Sequence, residues 1–283
     1  MAINKEEMSA FNKVLRTQVL PKSKEMSKRA IKKYEKENGK ITAKNLEKNF
    51  SQILTECVQI ETDLFKELSA KITQEWMNKL LSTERRNQLF PTISQQAELA
   101  LDVQKGRDAP DIKLGKIISI LHEVNDGISF GMKQASKTRV GAALENYLEL
   151  FFTILKMKYE RQATLPSGEK LDLILPDMQK LLSNDQDAIM IECQTTLKDR
   201  FRLSLGKGNE RAAAAKFIAT LTGGGLVRRN DIVDLSAEKI EEIHGKHWRL
   251  VVLKSIADQI NHPGVISYEE FVTKQYPARS KLW

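Results

Sequence analysis

The 283-residue sequence has little of what several protein classes need. Its two cysteines, Cys57 and Cys193, lie far apart and cannot supply a disulfide framework or a thiolate zinc site, so any bound metal must be held by oxygen. No stretch approaches the ~18 uninterrupted apolar residues of a membrane span. Residues 1–16 are polar and charged where a secretory signal carries an apolar block. We therefore expect a soluble, cytoplasmic protein with no membrane partner.

Glycine and proline are also scarce, at 14 and 7 residues, while 41% of the residues are apolar and 29% are charged. A chain of this composition can bury a large core, which excludes the disordered and fibrous classes. The first 110 residues show helical spacing of apolar residues, and strand patterns appear only after residue 160. This order predicts an α/β protein with a helical N-terminal region, 1–110, ahead of a second domain, 111–283.

Individual elements follow from the local patterns. Strands are predicted at 171–175, 188–194 and 249–253, and a final helix at 267–275. A helix at 117–124 is expected to end in a turn at Asn125-Asp126-Gly127, and a new helix is expected from residue 140 to 155. The alanine-rich segment 209–220 is predicted to be helical.

Positive charge is concentrated in two segments. The formal charge is +8, yet residues 1–40 hold eleven Lys and Arg against five Glu, a net +6, and residues 193–229 hold eight against two acids, again +6. Lys and Arg gain affinity for polyanions by displacing counterions from phosphates, so this distribution indicates a polyanionic partner. The alternative is that both segments form solvated helix faces.

A set of polar side chains on the predicted strands carries the chemistry. Because side chains alternate along a strand, Glu192 and Gln194 share one face. Asp172 is a lone carboxylate among aliphatic residues of the preceding strand, where an unpaired charge is expensive. Two acids and an amide oxygen from adjacent strands suit Mg²⁺, which prefers oxygen ligands and phosphates. Alternatively, the two acids lie at strand ends in water or pair with Lys170 and Arg200.

These residues carry a resemblance. Asp172, a spacer of nineteen residues and Glu192-Cys193-Gln194 resemble the D…(D/E)xK core of the PD-(D/E)xK nucleases, with Gln in place of Lys. The segments K-L-D-L-I-L-P at 170–176, Q-T-T-L-K-D-R-F-R at 194–202 and S-K-T-R-V-G-A-A-L-E at 136–145 resemble three motifs of one subgroup, in its order. That subgroup comprises type II restriction endonucleases whose sites contain CCGG, or CC and GG around a short centre.

The resemblance implies a restriction-endonuclease-like mixed sheet flanked by helices, and roles for several acids. It implies that Asp172 binds the catalytic Mg²⁺ and that Glu145 completes or supports the site. The second metal-binding acid is Glu192 on the strand or Glu210 after the motif. Glu192 is favoured, because strand alternation places it beside Gln194 without any assumption about loop length.

Because Gln194 stands in place of the lysine of the motif, the chain is either an active nuclease or an inactive one. A neutral amide cannot stabilise negative charge as the usual lysine does. Gln194 can still position water or touch the metal through its carbonyl oxygen, as in related nucleases with an E-x-Q motif. It is equally compatible with a dead nuclease or an engineered substitution. We favour the active enzyme.

DNA reading is predicted at Lys198, Asp199 and Arg200. Their donor–acceptor–donor pattern matches guanine O6 and N7 and the cytosine amino group, and the resemblance places such a run in the major groove at CC/GG. Without the neighbouring motif, the simpler interpretation is that these three residues form the charged start of a helix at the surface. Arg139 and Arg202 are expected to clamp phosphates, which positions the protein without specifying sequence.

The sequence therefore predicts a Mg²⁺-dependent endonuclease that cuts double-stranded DNA at a palindromic site containing CC/GG, most simply CCGG. A palindrome implies two-fold symmetry, hence a homodimer or a tetramer. The region 1–110 is expected to wrap DNA, to dimerise, or both. Two alternatives remain: a non-catalytic sequence-specific DNA-binding protein on the same fold, and a structure-selective repair or junction nuclease.

Overall fold

The structure of the protein is a computed structural model, which describes residues 4–14, 20–81, 90–197, 201–208, 211, 213–222 and 235–282. Within these ranges, helices occupy the chain up to residue 154 and a mixed sheet follows, as predicted. No helix in the described ranges is long and apolar enough to cross a membrane.

The helices before the sheet begin where the prolines predict. Pro91 and Pro110 are the first residues of their helices, where the missing N–H costs no intrahelical hydrogen bond, and Pro21 lies two residues before another helix start. The helices are α1 (Lys5–Val14), α2 (Ser23–Asn38), α3 (Ala43–Leu81), α4 (Pro91–Lys105) and α5 (Pro110–Ile154).

The predicted break at Asn125-Asp126-Gly127 is wrong, because α5 continues through it. Gly127 and Gly131 allow close packing and do not form a turn. A Cβ atom on Gly127 would lie 2.0 Å from Sδ of Met8, and one on Gly131 would lie 2.2 Å from Oδ1 of Asn12. Two glycines four residues apart therefore form a notch on α5 that admits side chains of α1.

In the described part of the chain, six strands form one sheet in the order β1-β2-β3-β4-β5-β6, which confirms the predicted mixed sheet flanked by helices. The pairs β1–β2 and β2–β3 are antiparallel, and β3 to β6 run parallel. The strands are β1 (Glu160–Thr164), β2 (Lys170–Leu175), β3 (Ile189–Gln194), β4 (Ala215–Thr220), β5 (Trp248–Val252) and β6 (Val265–Ser267).

The prediction of an alanine-rich helix over 209–220 is also wrong, because Ala215–Thr220 is strand β4. Phe217 and Ile218 are buried, and β4 pairs with β3 on one side and β5 on the other. Alanine composition favours a helix, but a central strand buried on both faces gains more from the burial of its apolar side chains.

Short helices connect the strands. Ser267, the last residue of β6, caps the helix that begins at Tyr268: its Oγ accepts a hydrogen bond from the backbone N–H of Glu270. The segments are α6 (Met178–Ser183), a 3₁₀ turn (Asp185–Asp187), α7 (Phe201–Leu205), α8 (Ala237–Gly245), α9 (Lys254–Ile260), α10 (Tyr268–Glu270), a π turn (Phe271–Gln275) and α11 (Tyr276–Ser280).

The chain divides into two compact units, one of Met1–Lys22 with Thr62–Arg139 and one of Ser23–Glu61 with Val140–Trp283. In the second unit, a buried carboxylate joins the helical segments to one another. The Oε2 atom of Glu61 lies 2.6 Å from the hydroxyl of Tyr147 and accepts a 2.9 Å hydrogen bond from Ser27. Residues 23–61 are thus part of the same core as the sheet.

Substitution of Tyr147 by Phe should lower the free energy of unfolding by ~1–3 kcal/mol, because Glu61 then keeps one hydrogen bond fewer in a buried position. Urea unfolding followed by circular dichroism measures the change. Tyr159→Phe is the matched control, since the Tyr159 hydroxyl contacts Thr153 at the surface. Equal effects of the two substitutions would contradict the role given to Glu61.

Candidate active site

The antiparallel pairing of β2 and β3 brings the predicted acids together. Leu173 pairs with Ile191, and one further step in this register places Asp172 opposite Glu192 on the same face of the sheet. The Oδ2 atom of Asp172 accepts a 2.7 Å hydrogen bond from the backbone N–H of Cys193. The two carboxylates predicted to hold the metal are therefore neighbours.

Glu192 is the most deeply buried of these acids, at 3% exposure. Its Oε2 atom accepts hydrogen bonds from the Lys207 ammonium at 2.7 Å and from the Ser204 hydroxyl at 3.2 Å. Its second oxygen, Oε1, is buried and accepts no hydrogen bond from any described residue. The expectation that Glu192 lies in water at a strand end does not hold.

Glu145 projects from α5 toward the same carboxylates. Gln162 and Arg161 donate to its Oε2 at 2.8 and 3.3 Å, and Arg161 also donates to Glu149 and Asn146. Burial raises the pKa of the Glu145 carboxyl, and the charge of Asp172 raises it further. The hydrogen bonds from Gln162 and Arg161 lower the same pKa. The charges of Glu145 and Asp172 thus influence each other, and the supporting role of Glu145 stays a prediction.

Both polar atoms of the Gln194 side chain bear on the site. Ser204 donates its hydroxyl hydrogen to Glu192, so its oxygen accepts from Nε2 of Gln194 at 2.7 Å. This fixes the amide orientation. Oε1 of Gln194 is buried without a hydrogen bond from any described residue, like Oε1 of Glu192. Buried oxygens of Glu192 and Gln194 that accept no hydrogen bond from the described residues fit a divalent cation, which takes carboxylate and amide oxygen ligands.

The residues missed by the sequence reasoning are Ser204 and Lys207. Lys207 extends from the 206–208 loop to Glu192 and to the backbone carbonyl of Lys170, at 2.7 Å each. A lysine between two glycines was the only signal for this contact. Nothing in the local sequence signals the contacts of Ser204.

Several predicted DNA contacts and one acid lie outside the described residues: Lys198, Asp199, Arg200 and Glu210. Leu197 and Phe201, which flank the triplet, are both fully buried. The Leu197 N–H donates to Thr222 and its carbonyl accepts from Lys239. The chain is therefore anchored on both sides of the predicted base-reading segment.

The two predicted phosphate clamps differ in exposure. Arg202 is exposed, and its guanidinium donates to both carboxylate oxygens of Glu242, at 2.9 and 3.1 Å. Arg139 is 7% exposed, and its guanidinium carbon lies 4.6 Å from the centroid of the Phe65 ring. Arg202 is accessible to a phosphate, whereas Arg139 would have to leave its position to contact one. The phosphate-clamping role of both residues stays a prediction.

A second group of possible ligands lies away from these acids. Among the described residues, one set of three His, Cys, Asp or Glu side chains has ligand atoms all within 4.8 Å of one another: Glu241, His244 and His262. The N–H of Gly264 donates to Nδ1 of His262 at 3.0 Å, so Nε2 carries the ring proton and donates to Glu241 at 3.1 Å. Both nitrogens of His262 are therefore engaged, which argues against a metal there.

The pKa values of the carboxyl groups of Asp172 and Glu192 are both raised. Burial raises the pKa of Glu192 to about 7, and Asp172 adds to the rise, while Lys207 and Ser204 oppose it. Burial also raises the pKa of Asp172, against the hydrogen bond from Cys193. A cation placed between these groups would reverse both shifts, because it favours the ionised carboxylates.

These shifts predict a pH-dependent stability for the metal-free protein. The folded protein holds the Glu192 proton up to about pH 7, against an ordinary pKa of 4.5, so stability is lost as the pH rises between those values. In EDTA, the free energy of unfolding should fall between pH 5 and pH 8 by on the order of 2 kcal/mol more in the wild type than in Glu192→Gln. Glu47→Gln, a change at an exposed glutamate, is the control. Parallel curves for the wild type and Glu192→Gln would contradict the assignment.

Comparisons with known proteins agree with this architecture. Metal-depleted Ecl18kI in complex with uncleaved, modified DNA superposes with a TM-score of 0.76 at 15% identity, over 100% of this chain and 86% of that chain. Metal-depleted Ecl18kI with uncleaved DNA gives 0.74 at 16% identity, over 99% and 86%. The restriction endonuclease PspGI in a substrate DNA complex gives 0.59 at 13% identity, over 94% and 96%. No curated protein matches the sequence significantly.

The three structures establish the restriction-endonuclease fold of the chain and no more, since their identities are low. The protein family described as EcoRII C terminal matches residues 111–272. Because this match covers more than half of the sequence, the chain belongs to the EcoRII C-terminal family.

Proposed function

We propose that the protein is a Mg²⁺-dependent, site-specific deoxyribonuclease that hydrolyses both strands of double-stranded DNA. The observation that carries the proposal is the pairing of Asp172 with Glu192 across β2 and β3, beside two buried oxygens that accept no hydrogen bond from any described residue. The family match and the resemblance of the fold to proteins solved with DNA support it.

Asp172 and Glu192 would hold the metal, with Oε1 of Gln194 as a further oxygen ligand or as a contact for the attacking water. When bound, Mg²⁺ lowers the pKa of a coordinated water and stabilises the charge that develops on the phosphate. Glu145 supports Asp172 from the helix side, and Glu210 remains the alternative second acid. The products are expected to carry 5′-phosphate and 3′-hydroxyl ends.

Burial of the acids contributes to this chemistry. A carboxylate at 3% exposure contacts little water, so its charge acts on a nearby cation or phosphate with less screening than at the surface. Ser204 fixes the positions of Glu192 and Gln194 through two hydrogen bonds. The three side chains are therefore oriented before any ligand arrives, which limits reorganisation during the reaction.

For sequence recognition, we propose that Lys198, Asp199 and Arg200 contact the edges of G·C pairs in a site containing CC/GG, most simply CCGG. Arg202 lies two residues further on and would contact a phosphate after releasing Glu242. Reading a palindrome with one surface requires two copies of that surface, so the active species is expected to be a homodimer or a tetramer. Residues 1–110 are expected to wrap DNA, to dimerise, or both.

The first test of the proposed chemistry is Asp172→Asn. This change removes one charge from the metal site while the side chain keeps its size, so Mg²⁺-dependent cleavage of plasmid DNA should fall at least ~100-fold while duplex binding persists. The exposed Asp258→Asn is the control and should cut normally. Unchanged cleavage by Asp172→Asn would exclude this residue from the chemistry. Tight, specific, Mg²⁺-independent binding by the wild type without strand breaks would favour the non-catalytic alternative.

The second test is a map of cleavage positions on one sequenced plasmid. The expected result is a fixed set of cuts, each within or beside a palindrome that contains CC/GG, because base-edge donors and acceptors discriminate G·C pairs. Substitution of Arg200 by Ala should weaken discrimination at one base pair by ~1–3 kcal/mol. Cleavage confined to branched DNA would instead indicate a junction or repair nuclease.

A further inference from the structure

Gln194 leaves the proposed metal site short of positive charge. The site brings together the carboxylates of Asp172, Glu192 and Glu145, and the entering phosphodiester adds another negative charge. The amide of Gln194 is neutral, and its Nε2 already donates to Ser204. Three carboxylates and one phosphodiester together carry more negative charge than one Mg²⁺ neutralises, so a protein cation from outside the two strands would add to the stabilisation of the charge that develops on the phosphate.

Two cationic side chains contact these acids within the described part of the chain. Arg161 is committed to three acceptors, on Glu145, Asn146 and Glu149. Lys207 has two acceptors, Oε2 of Glu192 and the carbonyl oxygen of Lys170, both at 2.7 Å. An ammonium group has three N–H donors, so one N–H of Lys207 remains for another acceptor.

The loop that carries Lys207 is fixed from three directions. The Gly208 N–H donates to Glu169 at 2.9 Å, and the Gly208 carbonyl accepts from the buried ammonium of Lys216 at 2.9 Å. The Lys207 N–H donates to the carbonyl of Ser204. Gly208 itself has φ +58° and contacts Met190 so closely that a Cβ atom would lie 2.3 Å from Cε. The loop is built to hold one geometry.

We propose that Lys207 is the catalytic cation of the proposed nuclease and that its third N–H donates to a non-bridging oxygen of the scissile phosphate. This inference rests on the proposed function. Through Ser204, Nε2 of Gln194 also helps to position Glu192, while its Oε1 remains available to the metal or the water. The lysine expected on β3 is thus replaced by one that reaches the same carboxylate from the 206–208 loop.

The chemical step is a simple hydrolysis. The oxygen of the attacking water forms a bond to phosphorus and gives up one proton to solvent, and the bond from phosphorus to the 3′ oxygen breaks. That oxygen takes up one proton from solvent. Lys207 stays protonated throughout and stabilises the additional negative charge on the phosphate oxygens.

The activity test uses Lys207→Gln in the full-length chain. The single-turnover rate on the duplex that the wild type cleaves should fall at least ~100-fold, as when one charge-stabilising donor is removed from an active site. Lys274→Gln is the matched control, because Lys274 also pairs with a glutamate, 2.8 Å from Oε1 of Glu270, and lies outside the site. It should cut at the wild-type rate.

A second readout requires no metal. In EDTA, the slope of log affinity against log salt for the same duplex should fall by about 0.9 in Lys207→Gln, since one phosphate contact is lost. Lys274→Gln should keep the wild-type slope. If Lys207→Gln folds poorly, Glu192→Gln is compared with the double variant Glu192→Gln/Lys207→Gln, which leaves no unpaired carboxylate in the site. The same difference in slope is expected.

The outcomes separate this inference from the proposed function. A wild type that cuts no DNA in Mg²⁺ overturns the proposed function, and the role of Lys207 falls with it. A wild type that cuts, together with a Lys207→Gln variant that cuts within threefold of it, overturns the role of Lys207 alone. An inactive Lys207→Gln variant with an unchanged salt slope also overturns it, because Lys207 would then only support the fold. A lower cleavage rate together with a smaller salt slope in Lys207→Gln supports the role of Lys207.

Discussion

The ion pair between buried Glu192 and Lys207 is the constraint around which the local structure is arranged. A carboxylate at 3% exposure in a central strand is costly unless it is paired and hydrogen-bonded. Lys207 and Ser204 meet that need, and both come from the segment after β3. The segment after β3 must therefore follow a path that brings Ser204 and Lys207 to the carboxylate of Glu192.

The part of the site on β2 and β3 was predictable because strand geometry fixes it. Side chains alternate with a period of two, so Glu192 and Gln194 had to share a face. Register follows from the apolar residues, which place Asp172 opposite Glu192. At β4, the alanine content predicts a helix, although Phe217 and Ile218 indicate a buried strand. Local propensity yields there to burial in the centre of the sheet.

Other features depend on contacts that local patterns do not contain. Gly127 was expected in a turn, but the lack of side chains at Gly127 and Gly131 allows the close approach of α1, which lies more than 110 residues earlier in sequence. Lys207 reaches Glu192 because Glu169 and Lys216 hold Gly208. Those two partners come from the β1–β2 hairpin and from β4, so the contact exists only once the sheet has formed.

The oxygens of Glu192 and Gln194 that accept no hydrogen bond from any described residue bear on the choice between a nuclease and a protein that only binds DNA. A buried acceptor without a hydrogen bond costs ~1–3 kcal/mol. Each of the two oxygens belongs to a group whose other polar atom is hydrogen-bonded to Ser204, which fixes its orientation, and neither oxygen accepts a hydrogen bond within the described part of the chain. A protein that only binds DNA would gain stability from an apolar residue at either position. The presence of both oxygens is expected where binding of a cation offsets their cost.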